Sequence, residues 1–156
     1  MNEFLKESIT NSGVKFPTRI EEGFAENMSS IASSSVDTVV STHVLCSVQS
    51  PVLALAEITR ILKPGGKFLF FEHVKAPHSS WTCTIQESVS PLWRVIGDGC
   101  EFRNLEADLR ALEKSGLYER VQVENFEMEE SPLPLVKPHI RGYAMKKSLP
   151  SGQAVI

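Results

Sequence analysis

Two strand-like runs on either side of one amphipathic helix constrain this fold more than any other feature. The first run, VDTVVST at 36–42, is β-branched and nearly continuous in apolar character, as in a strand covered on both faces. The second, KFLFFEHV from Lys67, reads the same way. Between them, Val52, Leu55, Ile58 and Leu62 share one face of a helix over 51–62, with Glu57 and Arg60 off it. Pro51 suits the first helical position, and Lys63-Pro64-Gly65-Gly66 ends the helix and turns the chain. Strand, helix, strand in this order argues for a parallel α/β sheet.

The flanking segments extend the pattern. Residues 2–12 read as a short amphipathic helix with Phe4, Leu5 and Ile9 near one face and Gly13 at its end. A weak strand is expected over 18–24 and a Ser-rich turn over 29–35. Residues 76–99, with two tryptophans and two prolines, read as loop plus one or two helical turns. Asn104 can cap a helix over 104–115, with Leu105, Leu109 and Leu112 at helical spacing. Two further strands are expected over 120–125 and 140–146, joined by the proline-rich SPLPLVKP. One domain over 1–146 and a loose tail over 147–156 follow from this division.

Composition narrows the function classes. With 16 Lys+Arg against 19 Asp+Glu, the net charge of −3 excludes a strongly basic nucleic-acid binder. A hydrophobic share of 42% argues against bulk disorder. No run approaches the roughly 18 apolar residues of a membrane helix, and the opening NEFLKES is polar, unlike a secretory signal. Cys46, Cys83 and Cys100 are an odd, widely spaced set, which fits a reducing compartment better than a disulfide framework. No CxxC or HExxH occurs, and His43 with Cys46 is only a two-ligand match, so no metal site is expected.

Parallel sheets bind ligands at the carboxyl ends of their strands. The first run passes there into His43-Val44-Leu45-Cys46-Ser47, and the second into Glu72-His73. A cleft lined by His43, Ser47, Glu72 and His73 is therefore expected.

These residues also carry a resemblance. FAENM, SVDTVVSTHVLCSV and LAEITRILKPGGKFLFFEHV resemble successive motifs of class I S-adenosylmethionine-dependent methyltransferases. With Trp81 and Gln86, Pro91 and Trp93, DGC at 98–100 and KPHIRGYAMK, the chain most resembles the thiol methyltransferases of endoplasmic reticulum and lipid droplets. The resemblance runs from about Asn2 to Lys146. It implies a Rossmann-like sheet, mostly parallel, with an antiparallel carboxyl-terminal strand pair. It also implies that the family's first two strands, with their glycine-rich loop and ribose-binding carboxylate, are lacking, as in an amino-terminally truncated chain. Phe24 stands where many relatives have an acidic residue.

The implied cofactor is S-adenosylmethionine, met by Glu26, Asn27, Met28, Thr42, His43, Val44 and Leu45. Methyl transfer needs an aligned acceptor, and a thiol acceptor must become a thiolate. His73 is the expected base, with Asp98 as a second catalytic candidate. Glu72, Trp81, Trp93 and Cys100 are expected around the acceptor. The partner is a small, lipophilic thiol, with no nucleic acid. The chain reads as cytoplasmic and has no membrane segment, though the family is membrane-associated. A catalytically inactive remnant, acting as an interaction or regulatory module, is the alternative. A nicotinamide-binding domain would need GxGxxG after a strand, which is absent.

Overall fold

The computed structural model describes residues 2–13, 15, 17–97, 99–131 and 133–148. After helix α1 (Asn2–Asn11) the chain builds a four-stranded sheet from β1 (Val36–Thr42), β2 (Leu62–His73), β3 (Tyr118–Glu127) and β4 (Pro138–Lys146). Helix α2 (Pro51–Ile61) joins β1 to β2, and α3 (Trp81–Ile96) and α4 (Leu105–Lys114) lie between β2 and β3. The sheet order is β1-β2-β4-β3. β1 and β2 are parallel, while β4 runs antiparallel to both β2 and β3. Three strands thus share one direction, and the carboxyl-terminal pair is antiparallel as expected.

The crossover follows the sequence closely. The Ser50 hydroxyl caps α2 by accepting from the Leu53 N–H at 3.3 Å, and Pro51 occupies the first turn. Ala54, Leu55, Ile58 and Ile61 are the buried face, so Val52 lies outside it at 65% exposure. Of these, Ala54, Leu55 and Ile58 pack with Phe68, Phe70, Leu109, Tyr118 and Ile140 into one core. The expected turn at Lys63–Gly66 lies within the observed bounds of β2, as a break in register. Val36 pairs with Leu62, and Thr38 already pairs with Lys67. Gly65 takes a left-handed φ of 76° there.

Three expectations change. β1 is not covered on both faces: Val40 is 67% exposed, because β1 is an edge strand among the described residues. Residues 18–24 form no strand. Ile20 is the segment's one β-branched aliphatic, and among the described residues no neighbouring strand pairs with it; Phe24 makes an isolated bridge to Asn27. Residues 81–96 form a continuous helix despite Pro91, which forfeits one backbone bond at an exposed position. Ser80 caps it, accepting from the Cys83 N–H at 3.1 Å. Gln86 anchors it from a fully buried position, accepting from the Ala76 N–H at 2.7 Å and donating to the Leu135 carbonyl at 2.8 Å. Of the tail, only Lys147 and Ser148 lie among the described residues.

Two polar devices hold the site-bearing segments. Glu72, fully buried near the end of β2, accepts from the Ser41 hydroxyl at 2.5 Å and from the N–H groups of Val44 and Leu45 at 3.2 and 3.0 Å. Burial raises its carboxyl above the usual range, and these donors pull it back. Segment 28–31 is held by Glu57 and Arg60 of α2. Glu57 accepts from the Met28 N–H at 2.7 Å, while Arg60 donates to the carbonyls of Met28 and Ile31, each at 2.8 Å. Arg60 and the Met28 N–H hold the Glu57 carboxyl down at about 2. Among the described residues no helix is long and apolar enough to cross a membrane.

Two substitutions test this framework. A Cβ at Gly142 would sit 1.9 Å from the Gln122 carbonyl of the adjacent strand. Gly142→Ala is expected to part β3 from β4 and destabilise the chain by about 1–3 kcal/mol in urea denaturation. Glu72→Gln places an amide NH2 against the Val44 or Leu45 N–H, backbone groups that only donate. It is expected to cost about 2–3 kcal/mol in the same measurement; an unchanged midpoint would show that the carboxylate does not hold the turn.

Candidate functional site

The shared direction of β1 and β2 brings Thr42 and His73 to one end of the sheet, and antiparallel β4 begins there with Pro138 and His139. After β1 the chain turns sharply. His43 adopts a left-handed φ of 54°, and its N–H donates to the Phe71 carbonyl at 3.0 Å. The buried Glu72 carboxylate gathers the next two N–H groups. The turn therefore presents His43 outward while Leu45 enters the core, 1% exposed.

Three imidazoles converge there. His139 Nδ1 lies 2.9 Å from the Lys137 carbonyl, and a carbonyl only accepts, so Nδ1 carries the proton. His139 Nε2 is then a lone pair. It faces His43 Nε2 at 3.0 Å, so His43 Nε2–H is the donor. By the same reasoning His73 Nε2 donates to the Leu135 carbonyl at 3.3 Å, leaving Nδ1 to face Cys100 Sγ at 3.3 Å. Burial, then the neighbouring His73, lowers the pKa of His43 below its ordinary value. Burial lowers His139 too, with His73 and His43 adding to it and the Lys137 carbonyl opposing. Both rings are accordingly neutral at pH 7.

The thiols are unequal. The Cys46 thiol donates to Cys100, which with Trp93 and Arg103 brings the Cys100 thiol down to about 7 against the effect of burial. The same hydrogen bond and burial push the Cys46 thiol up. His43, Cys46, His73, Trp93, Cys100 and His139 share the wall of an open cavity of about 360 Å³. Trp93 stacks on Phe102 with ring centroids 5.7 Å apart.

A second cavity, of about 440 Å³, lies along segment 21–31 and reaches Val44. Asn27 and Met28 line it, and Met28 also packs against the core. Glu26 does not line it. Its carboxylate accepts from the N–H groups of Gln49 and Ser50, at 2.6 and 3.2 Å, and so fixes the entrance to α2. Thr42 is exposed at the strand end.

The structure brings together His43, His73, Trp93 and Cys100 of the expected site residues. Glu72 lies beneath them as a buried support rather than in the cavity wall. Trp81 is elsewhere: it is 84% exposed on the outer side of α3, whose buried residues are Cys83 and Gln86. Asp98 lies outside the described residues. His73 is 6% exposed with both ring nitrogens engaged, so it is poorly placed to exchange a proton with a ligand. His139 and Cys46 were not among the expected site residues. His139 belongs to the PHIRGY motif, but its pairing with His43 spans 96 residues and leaves no local signal.

Comparison with known proteins gives this arrangement a context. The family pattern of a methyltransferase domain matches residues 1–70. Thiol S-methyltransferase TMT1B of Homo sapiens is 44% identical over 126 residues, covering 78% of this chain and 48% of that protein. Thiol S-methyltransferase TMT1A of Homo sapiens is 39% identical over 147 residues, covering 92% of this chain and 57% of that protein. The chain thus spans about half the length of these curated relatives. Among solved structures, a SAM-dependent methyltransferase of Thermotoga maritima, described as a possible histamine N-methyltransferase, superimposes with a TM-score of 0.63 at 23% identity. It covers 93% of this chain and 70% of that one. Its likeness speaks for the fold alone. The chain thus matches the methyltransferase domain pattern over residues 1–70, and its fold is like that of class I S-adenosylmethionine-dependent methyltransferases.

Proposed function

We propose that this chain supplies the acceptor side, and part of the adenosyl side, of an S-adenosylmethionine-dependent methyltransferase acting on a small, lipophilic thiol. The similarity to thiol S-methyltransferases supports the reaction class. The neutral His43–His139 pair beside an open cavity is the observation that carries it.

The residues of the larger cavity fit the adenine end of the cofactor. Met28 offers a soft apolar face, Asn27 a side-chain amide, and Val44 an apolar edge continuous with the His43 turn. Leu45 holds that turn to the core, and Thr42 and Glu26 flank it. When bound, S-adenosylmethionine supplies an electrophilic methyl group on sulfur.

The chain's own work lies at the acceptor. A thiol must lose its proton to become a nucleophile. His43 is exposed, neutral and reachable, and its Nδ1 is the free lone pair once Nε2 donates to His139. Taking the thiol proton there makes His43 a cation, and the His139 lone pair 3.0 Å away stabilises it. Trp93 and Val136 give the acceptor cavity an apolar wall suited to a lipophilic thiol.

The test is methylation of a small alkyl thiol by the chain, with binding of S-adenosylhomocysteine followed by calorimetry. His43→Ala is expected to lower turnover by about 10²–10⁴-fold with little change in that binding. Turnover of the unaltered chain should fall on acidification only below the ordinary histidine value of 6.5, since protonating a ring whose pKa is lowered removes the base. Absence of thiol methylation, or turnover indifferent to His43→Ala, would overturn the reading.

A further inference from the structure

We propose that Cys46, His73 and Cys100 form a binding site for a soft divalent metal ion, Zn²⁺ by preference. The three come from different places in the chain: the turn after β1, the end of β2, and the segment after α3. Yet Cys46 Sγ, Cys100 Sγ and one His73 ring nitrogen all lie within 4.8 Å of one another. His73 Nδ1 stands 3.3 Å from Cys100 Sγ. Ligand atoms about 2.3 Å (sulfur) and 2.0 Å (nitrogen) from a shared tetrahedral ion are separated by comparable spans.

Four features fit an ion better than a packing role. The His73 tautomer is already set: Nε2 donates to the Leu135 carbonyl, which leaves the Nδ1 lone pair for coordination. A ligating histidine anchored by its other N–H to a backbone carbonyl is the usual outer-shell arrangement. That carbonyl is itself fixed by the buried Gln86 amide at 2.8 Å. The Cys46 and Cys100 sulfurs both lie within reach of a His73 ring nitrogen, so one ion can meet all three. Two thiolates and a neutral imidazole around a dication make an uncharged unit, so the half-buried position carries no net-charge penalty.

The donor set, two cysteines and one histidine, leaves a fourth position open. All three ligands border the acceptor cavity, so this position faces it. A thiol entering there would be held as thiolate on the ion, its proton passing to His43. This last step rests on the proposed methyl transfer; metal binding does not. A second grouping, His78, Cys83 and Glu87, is less suited, because Lys75 already pairs with the Glu87 carboxylate at 2.7 Å.

The experiment titrates the reduced, chelator-treated 156-residue chain with Co²⁺ and then Zn²⁺. One equivalent of Co²⁺ is expected to give thiolate-to-metal charge-transfer absorption, which Zn²⁺ abolishes by displacement. Zn²⁺ should also raise the melting temperature. Cys46→Ser and Cys100→Ser, each isosteric and checked for native circular dichroism, should weaken binding by more than about 100-fold, the upper range for losing a mere outer-shell partner. His78→Ala should bind as the unaltered chain does. Adding propanethiol to the Co²⁺ form should shift its spectrum if the fourth position is open, a result independent of any methyl transfer. No charge-transfer band, or a band that survives both serine variants, would overturn the site. So would a reduced chain that binds no metal and instead forms a Cys46–Cys100 disulfide in air.

Discussion

One buried carboxylate organises this molecule. Glu72 is enclosed where the chain leaves β1, and a carboxylate can only be kept there if donors surround it. The Ser41 hydroxyl and the Val44 and Leu45 N–H groups supply them. In satisfying Glu72 the backbone must bend, and the bend places His43 in a left-handed conformation with its ring toward the cavity. The same bend commits Leu45 and Cys46 to the interior. A single desolvated charge thus couples the strand ends, the core and the position of the outermost imidazole.

The sheet direction does the rest. Because β1 and β2 are parallel and β4 is antiparallel to β2, the ends of β1 and β2 and the beginning of β4 meet at one end of the sheet. Residues 43, 73 and 139 become neighbours there. Burial first, and the neighbouring imidazoles after it, disfavour charge on His43 and His139, which is why both have lowered pKa values. Carbonyls at Lys137 and Leu135 then fix the tautomers of His139 and His73. The cavity along segment 21–31 depends on a different device, the Glu57–Arg60 pair, which ties segment 28–31 to α2.

Local order was legible where one period dominated. VDTVVST, the α2 face and the Leu105–Leu109 repeat each carry their own signal, and Asn104 caps α4, accepting from the Ala107 N–H at 3.3 Å. Helix α3 was not legible, because its large apolar residues Trp81, Ile85, Leu92, Val95 and Ile96 face outward and its anchor is the polar Gln86. A reader weighing Pro91 against that pattern loses the helix. The site was legible along the strands and obscure across them. His43, His73 and Cys100 stood in readable motifs, whereas Glu72 as a support, His139 as a partner and the Glu57–Arg60 hold on Met28 are long-range hydrogen bonds. No periodicity announces such contacts; only the assembled sheet does.

The central claim is that the cavity presents neutral imidazoles in fixed tautomers, ready to take a proton. Nitrogen NMR of the ring-labelled chain across pH tests it most directly. The account predicts His139 protonated at Nδ1 and His43 at Nε2, both titrating below the ordinary value of 6.5. Titration of both at or above that value, or a His139 ring protonated at Nε2, would contradict it.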